Sequence, residues 1–260
     1  MLEDLLEQGI PISRKRVARL MQAEGLKARV RKRFRSTTMS DHDQPIAANV
    51  LDRQFVADRP NQRWVGDTTA FTIGSSAKLY LAAIMDLHSR FIVGWAVSAV
   101  NDRHLTLSAL DKAVKRRCPE AGLLHHSAQG CTYASEDYRT RLETHGITCS
   151  MSRRGNCYDN AVMESWFSTV KSEEGERFES YAHAKEALFD YIEVFYNQRR
   201  RHSTLGQISP AEFERRQSKE GVDPMENRKE RGFPQAPHPL SVSAKAEKTT
   251  KKDHYSETVH

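Results

Sequence analysis

The sequence has no long apolar run. Nothing in it approaches the ~18 consecutive apolar residues that a membrane-crossing helix needs, so a helical membrane protein is not expected. The start, MLEDLLEQGI, has no basic stretch followed by an apolar one, so a secretory signal is not expected either. Cysteine is scarce. Cys118, Cys131, Cys149 and Cys157 form no CxxC pair, which argues against a disulfide scaffold and a zinc knuckle and points to a reduced cytoplasm. The four thiols are expected to be buried. Apolar residues are only 38% of the chain and mean hydropathy is −0.68, yet 260 residues suffice for a real core. Aromatics almost vanish in residues 218–260, where four prolines and charges of both signs predict a disordered tail.

Positive charge is present in excess, and its placement is uneven. The net charge is +6. Residues 1–40 hold ten basic and four acidic residues, which is the whole surplus. Such a block is an electrostatic footprint for nucleic acid. Residues 2–8 read as a helix broken at Gly9–Pro11. Ser13 is a good N-cap for a second helix that Gly25 closes. Its apolar stripe would be Val17, Leu20 and Met21, with Arg14, Lys15, Arg16 and Arg19 outside. The pair resembles half of a helix-turn-helix unit; it also fits an ordinary solvated amphipathic helix. Arg31, Lys32 and Arg33 follow in a stretch suited to tracking phosphates. The expected organisation is a partial helix-turn-helix-like basic arm (1–40), a linker (41–58), a core with C-terminal helices (59–217) and the tail (218–260).

From Gln62 onward, three runs rich in β-branched and aromatic residues are separated by polar breaks near Gly74 and Ser89. They predict an antiparallel meander. A helix over 102–117, a strand in GLLHHS, a helix capped by Ser135, a strand in ITCSMS, long helices over 159–174 and 182–198, and a short one over 210–217 follow. That order predicts an α/β, ribonuclease H-like fold: a five-stranded mixed sheet flanked by helices.

Asp67 falls inside the first strand, where a carboxylate is costly unless the strand opens on a cleft or holds a metal. Glu164 lies early in the helix DNAVMESWFSTVK. Asn160, Glu164, Phe167, Ser168 and Lys171 recur on one face, which sets a carboxylate for a metal beside a cation for a phosphate. Mg²⁺ or Mn²⁺ takes oxygen ligands of this kind. A surface Asp and a solvated helix Glu fit the same spacing. Trp64, Trp95 and Trp166 read as core. Of His125 and His126, one is expected to pack or hydrogen-bond; the other could face the cleft, but a structural role is the favoured reading. Arg153, Arg154 and Asn156 form a basic loop at a helix N-terminus, suited to phosphate. Arg199, Arg200, Arg201 and His202 either grip phosphates or end a solvated helix.

Five long strings carry a resemblance. RPNQRWVGDTT (59–69), YLAAIMDLHSRFIVGWAVS (80–98), LLHHSAQGCTYASEDYR (123–139), SMSRRGNCYDNAVMESWFSTVKSE (150–173) and YIEVFYNQRRRHSTLGQISPAEFE (191–214) occur in order. Together they resemble bacterial insertion-sequence transposases with a retroviral-integrase-type core, the second-frame product of two-frame elements. The resemblance implies a DDE metal triad, two Mg²⁺ or Mn²⁺ ions, and hydrolysis and strand transfer on double-stranded DNA at element ends and targets. It also implies a homo-oligomer on DNA and a partner-frame helix-turn-helix protein. The first Asp carries over onto Asp67 and the Glu onto Glu164, as catalytic residues and metal ligands. The second Asp falls on Ala128, with 35 residues between it and Glu164. The register is intact and the ligand is missing, so the expectation is a DNA-binding protein with strongly impaired catalysis. The alternative is a non-catalytic remnant that poisons an intact transposase. The resemblance also implies an expectation that the family's N-terminal helical module extends upstream of LEDLLEQGI. Arg14, Lys15, Arg16, Arg19, Arg31, Lys32, Arg33, Arg153, Arg154, Asn160, Lys171, Arg199 and Arg200 are the expected DNA contacts.

Overall fold

The computed structural model describes residues 1–26, 44–153 and 156–220. The expected tail beyond 220, and Arg31, Lys32, Arg33 and Arg154, lie outside the described residues. Two short helices come first, α1 (Leu2–Glu7) and α2 (Arg14–Ala23). Ser13 caps α2 by accepting a hydrogen bond from the Arg16 N–H at 3.3 Å. Only Val17 of α2 is buried, and Leu20 is 47% exposed, which corrects the expected three-residue stripe. Arg201 ties α1 to the rest of the chain through ion pairs with Asp4, at 2.8 Å, and with Glu7.

The alternating runs fold as expected into β1 (Arg63–Ile73), β2 (Ala77–Asp86) and β3 (Ile92–Ser98), an antiparallel meander. Next come α3 (Arg103–Arg117), β4 (Leu124–Ser127), α4 (Cys131–Ala134), α5 (Glu136–Thr144) and β5 (Thr148–Met151). The carboxylate of Asp102 caps α3 and the hydroxyl of Ser135 caps α5. β4 lies parallel to β1 on the edge that β2 leaves free, and β5 lies parallel to β4. The sheet order is β3-β2-β1-β4-β5. A 3-10 turn (Cys157–Asn160) leads into α6 (Ala161–Glu173). The two-residue β6 (Arg177–Phe178) then extends the sheet by pairing with the far end of β1, a sixth strand that the sequence did not suggest. The helix expected over 182–198 is α7 (Tyr181–Phe189) continued by a π-helical segment, Asp190–Tyr196. Finally, α8 (Pro210–Glu220) runs three residues longer than expected.

The pleat sorts side chains to two apolar layers. Val65, Phe71 and Ile73 of β1 face α6 and α7, packing with Met163, Trp166, Phe167 and Tyr196. Trp64, Ile84 and Val93 face α3 and α5. All three tryptophans are core, as expected. Gly94 shows how close the second layer is. A Cβ there would sit 2.3 Å from the Ala109 carbonyl oxygen and 2.6 Å from the Ala113 nitrogen, so α3 rests on bare β3 backbone. The Asn197 amide closes one end of β3, taking the Ile92 N–H at 2.9 Å and giving to its carbonyl at 3.2 Å. The thiols differ from expectation. Cys118 and Cys131 are exposed and Cys149 is half-buried, because the first two lie at helix ends rather than on an apolar face.

Candidate active site

β1 is the strand at which the sheet changes from antiparallel to parallel neighbours. Crevices beside such points are the usual ligand sites of open α/β sheets. Asp67 lies on this strand, on the face shared by Val65 and Phe71, and therefore looks toward α6. The strand and α6 meet at Asn160, whose Nδ2 lies 3.5 Å from the Gly66 carbonyl oxygen. Glu164 follows one turn later. The carboxyl of Asp67 accepts the Thr68 N–H at 2.8 Å and a hydrogen bond from Asn160. Burial pushes it up to about 7, and the nearby Glu164 charge acts in the same sense. Burial also raises Glu164. These two carboxylates feel one another, as a shared cleft requires.

Ala128 stands where the parallel register runs out. Val65 pairs with His126 and Gly66 with Ser127. Continued by one step past the end of the strand, this register would set Ala128 opposite Asp67. It is half-buried and has no oxygen to offer. Other acids do not replace it. Asp86 is fully buried and pairs across the sheet with Trp64, on the opposite face from Asp67. Its oxygens are used by the Asn61 and His88 N–H groups at 2.8 and 2.9 Å. Asp137 is paired with Arg103 at 3.0 Å.

Asp159 is fully buried and also engaged, a role with no signal in the sequence. It takes the Arg153 N–H at 3.0 Å and the Arg153 Nε at 2.9 Å. It also takes Arg53 Nε and the Asn49 amide, each at 2.9 Å. These bonds, those from Arg153 first, hold its carboxyl well below the usual range. The Arg153 side chain is half-exposed and spends two of its donors on Asp159. Both histidines are interior. His126 sits between the Ser150 and Ser152 hydroxyls at 2.9 and 3.1 Å, and His125 contacts the Tyr138 hydroxyl at 3.1 Å. Both are held by hydrogen bonds inside the fold, in keeping with the structural role favoured from the sequence. Burial lowers His126 to about 4 and His125 to about 3.

The basic residues divide into free and occupied. Lys171, two turns beyond Glu164, lies over the Phe71 ring at 5.6 Å, and burial lowers its pKa. Lys78 is near enough to act in the same direction. Arg14, Lys15, Arg16 and Arg19 are exposed and make no ion pair among the described residues, and the same holds for Arg199. Arg200 instead grips Glu173 at 2.7 and 2.8 Å, Arg201 holds α1, and His202 is half-buried.

The cleft offers oxygen donors, which suit a hard divalent cation. Asp67 and Glu164 are close enough to oppose each other's ionisation. Asn160 adds a buried side-chain oxygen, Oδ1, without a hydrogen-bond partner among the described residues. No group of three or more His, Cys, Asp or Glu side chains among the described residues could hold a metal.

Fold and cleft together define a protein of the integrase-core class. Integrase core domain families match residues 57–157 and 145–210, and an HTH-like domain family matches residues 1–34. The chain is 44% identical to the insertion element IS600 uncharacterized 31 kDa protein of Shigella sonnei, over 81% of this chain and 78% of that one. It is 38% identical to the transposase InsF for insertion sequence IS3A of Escherichia coli (strain K12), over 82% of this chain and 74% of that one. The chain belongs to this family of insertion-sequence transposases. Among solved structures, a simian T-cell lymphotropic virus intasome aligns at 14% identity and a TM-score of 0.48, covering 79% of this chain and 66% of that one. The HTLV-2 integrase catalytic core domain in complex with magnesium aligns at 15% and 0.43, covering 59% and 96%.

Proposed function

We propose that this chain is a DNA-binding member of the DDE polynucleotidyl transferases whose phosphoryl-transfer chemistry is strongly impaired. The observation that carries this reading is Ala128, one residue past Ser127, which pairs with the neighbour of Asp67, and 35 residues before Glu164, where a carboxylate would complete the site. Asp67 and Glu164 hold Mg²⁺ or Mn²⁺ in this reading. A bound divalent ion stabilises charge on the phosphodiester and favours ionisation of an attacking water or 3′-OH. Asn160 fixes the Asp67 carboxylate through its amide. Lys171, half-buried over the Phe71 ring, supplies a cation along the same helix face. Arg14, Lys15, Arg16 and Arg19, with Arg31, Lys32, Arg33, Arg154 and Arg199, grip backbone phosphates. Arg153 and Arg200 bind DNA only to the extent that Asp159 and Glu173 release them. The protein works as a homo-oligomer on double-stranded DNA in the bacterial cytoplasm, at element ends that a partner-frame helix-turn-helix protein helps select.

Strand transfer on element-end DNA, comparing the chain with Ala128→Asp, tests the reading. The expected gain is about a thousandfold, the equivalent of ~4 kcal/mol in the barrier. Robust transfer by the unchanged chain would refute it. DNA binding by both proteins, falling steeply with salt, is the accompanying expectation.

A further inference from the structure

Asn160 is 3% exposed, and its amide is half used. Nδ2 donates to the Asp67 carboxylate and lies 3.5 Å from the Gly66 carbonyl oxygen. Oδ1 has no hydrogen-bond partner among the described residues. A buried carbonyl oxygen left unmatched is a standing destabilisation. Turning the amide over gives no relief, because it would point oxygen at two acceptors. The unmatched oxygen shares its planar amide with the nitrogen that touches the Asp67 carboxylate, so its position is tied to that contact. The chain path brings Glu164 to the same place, one turn into the helix that Asn160 opens.

Three oxygen-bearing side chains therefore converge where the strand and helix meet, and the neighbouring position, Ala128, brings none. A hard divalent cation accepts a side-chain carbonyl oxygen alongside carboxylates, and water and substrate phosphate complete its shell. We propose that Asn160 Oδ1 is a third protein ligand of a single divalent cation held by Asp67 and Glu164, and that this chain binds one such ion rather than two. The proposal rests on reading the cleft as a cation site. It adds that Asn160 acts on the ion as well as on Asp67.

Titration of the full chain with Mn²⁺, followed by calorimetry and by the spin-resonance signal of the free ion, tests it without reference to activity. One ion per chain is expected. Asn160→Ala should weaken binding at least tenfold, while Asn160→Asp, which keeps an oxygen at the site, should tighten it. Ala128→Asp should bring in a second ion. Melting curves in chelator separate folding from binding, since a residue that only positions Asp67 would shift the metal-free melting point and leave Mn²⁺ affinity within about twofold. Unchanged affinity in Asn160→Ala overturns the proposal and leaves the cation site standing. Should Asn160→Ala not fold, unchanged or weaker binding by Asn160→Asp overturns it instead. Two ions in the unchanged chain overturn the count of one. No Mn²⁺ binding at millimolar concentration would remove both the proposal and the cation site beneath it.

Discussion

Asp67 and Asp159 are the same residue type at neighbouring places, on either side of Asn160, and their surroundings are opposite. Asp67 has few donors and a second carboxylate nearby, so its carboxyl rises to about 7. Asp159 is fully buried but has two arginines, an amide and a backbone N–H, so its carboxyl falls. Burial alone does not set the sign; the partners do. One region is a lock that shapes the turn into α6. The other is a cleft left short of positive charge, as a cation site would be. The lock serves the cleft, because Asp159 fixes the segment that delivers Asn160 and Glu164.

Breaking the lock is the harshest test of that contrast. Asp159→Ala should cost about 2 kcal/mol, below the usual penalty for splitting a buried pair because both arginines are half-exposed. Chemical denaturation at neutral pH measures it, and no change would mean that the turn into α6 is held by something else. Because the folded-state carboxyl lies below its unfolded value, the stability it contributes is full above about pH 4 and disappears as the pH falls below that.

A pH-dependent effect probes the histidine behind the same turn. His126 is lowered to about 4 in the folded state. Its neutral form is therefore favoured by folding, and that stability is present above about pH 6.5 and lost as the pH falls toward 4. The advantage of the unchanged chain over His126→Asn should shrink by about 1.4 kcal/mol per pH unit across that window. A constant gap would show that His126 carries its charge inside the fold.

The mildest expected effect has the opposite sign. With a raised carboxyl, Asp67 is least unfavourable below about pH 4, and its cost grows as the pH rises to about 7. Asp67→Asn should therefore stabilise the metal-free protein at pH 8, on the order of 1 kcal/mol after allowing for solvent access to the cleft. Loss of stability instead would place Asp67 among the structural carboxylates with Asp159.

Much of the fold was legible because pleat and helix periodicities are local. The meander, the caps at Asp102 and Ser135, and the core tryptophans follow from residues close in sequence. What escaped depends on distant packing. The two residues of β6 form a strand only because the far end of β1 is open to them, and the π-helical turns at Asp190–Tyr196 belong to a segment whose own sequence looks like ordinary helix. At the site, Asp67, Ala128 and Glu164 were legible through the strings that carry the resemblance. Asp159 was not, since one acid among 34 gives no sign that Arg53, over a hundred residues earlier, will pair with it. Arg200 and Arg201 read as candidate phosphate grips for the same reason: their carboxylate partners lie elsewhere in the chain.

Ala128 has a consequence in the language of codons. Where its alanine codon ends in a pyrimidine, aspartate is one base substitution away. The strand register that would receive the restored carboxylate is already built, with Gly66 opposite Ser127 and Asp67 next in line. The silence proposed for this chain would therefore be a reversible genetic state. It stays reversible only while the lock at Asp159 and the packing around Gly94 are kept, because losses there would need many coordinated changes to undo.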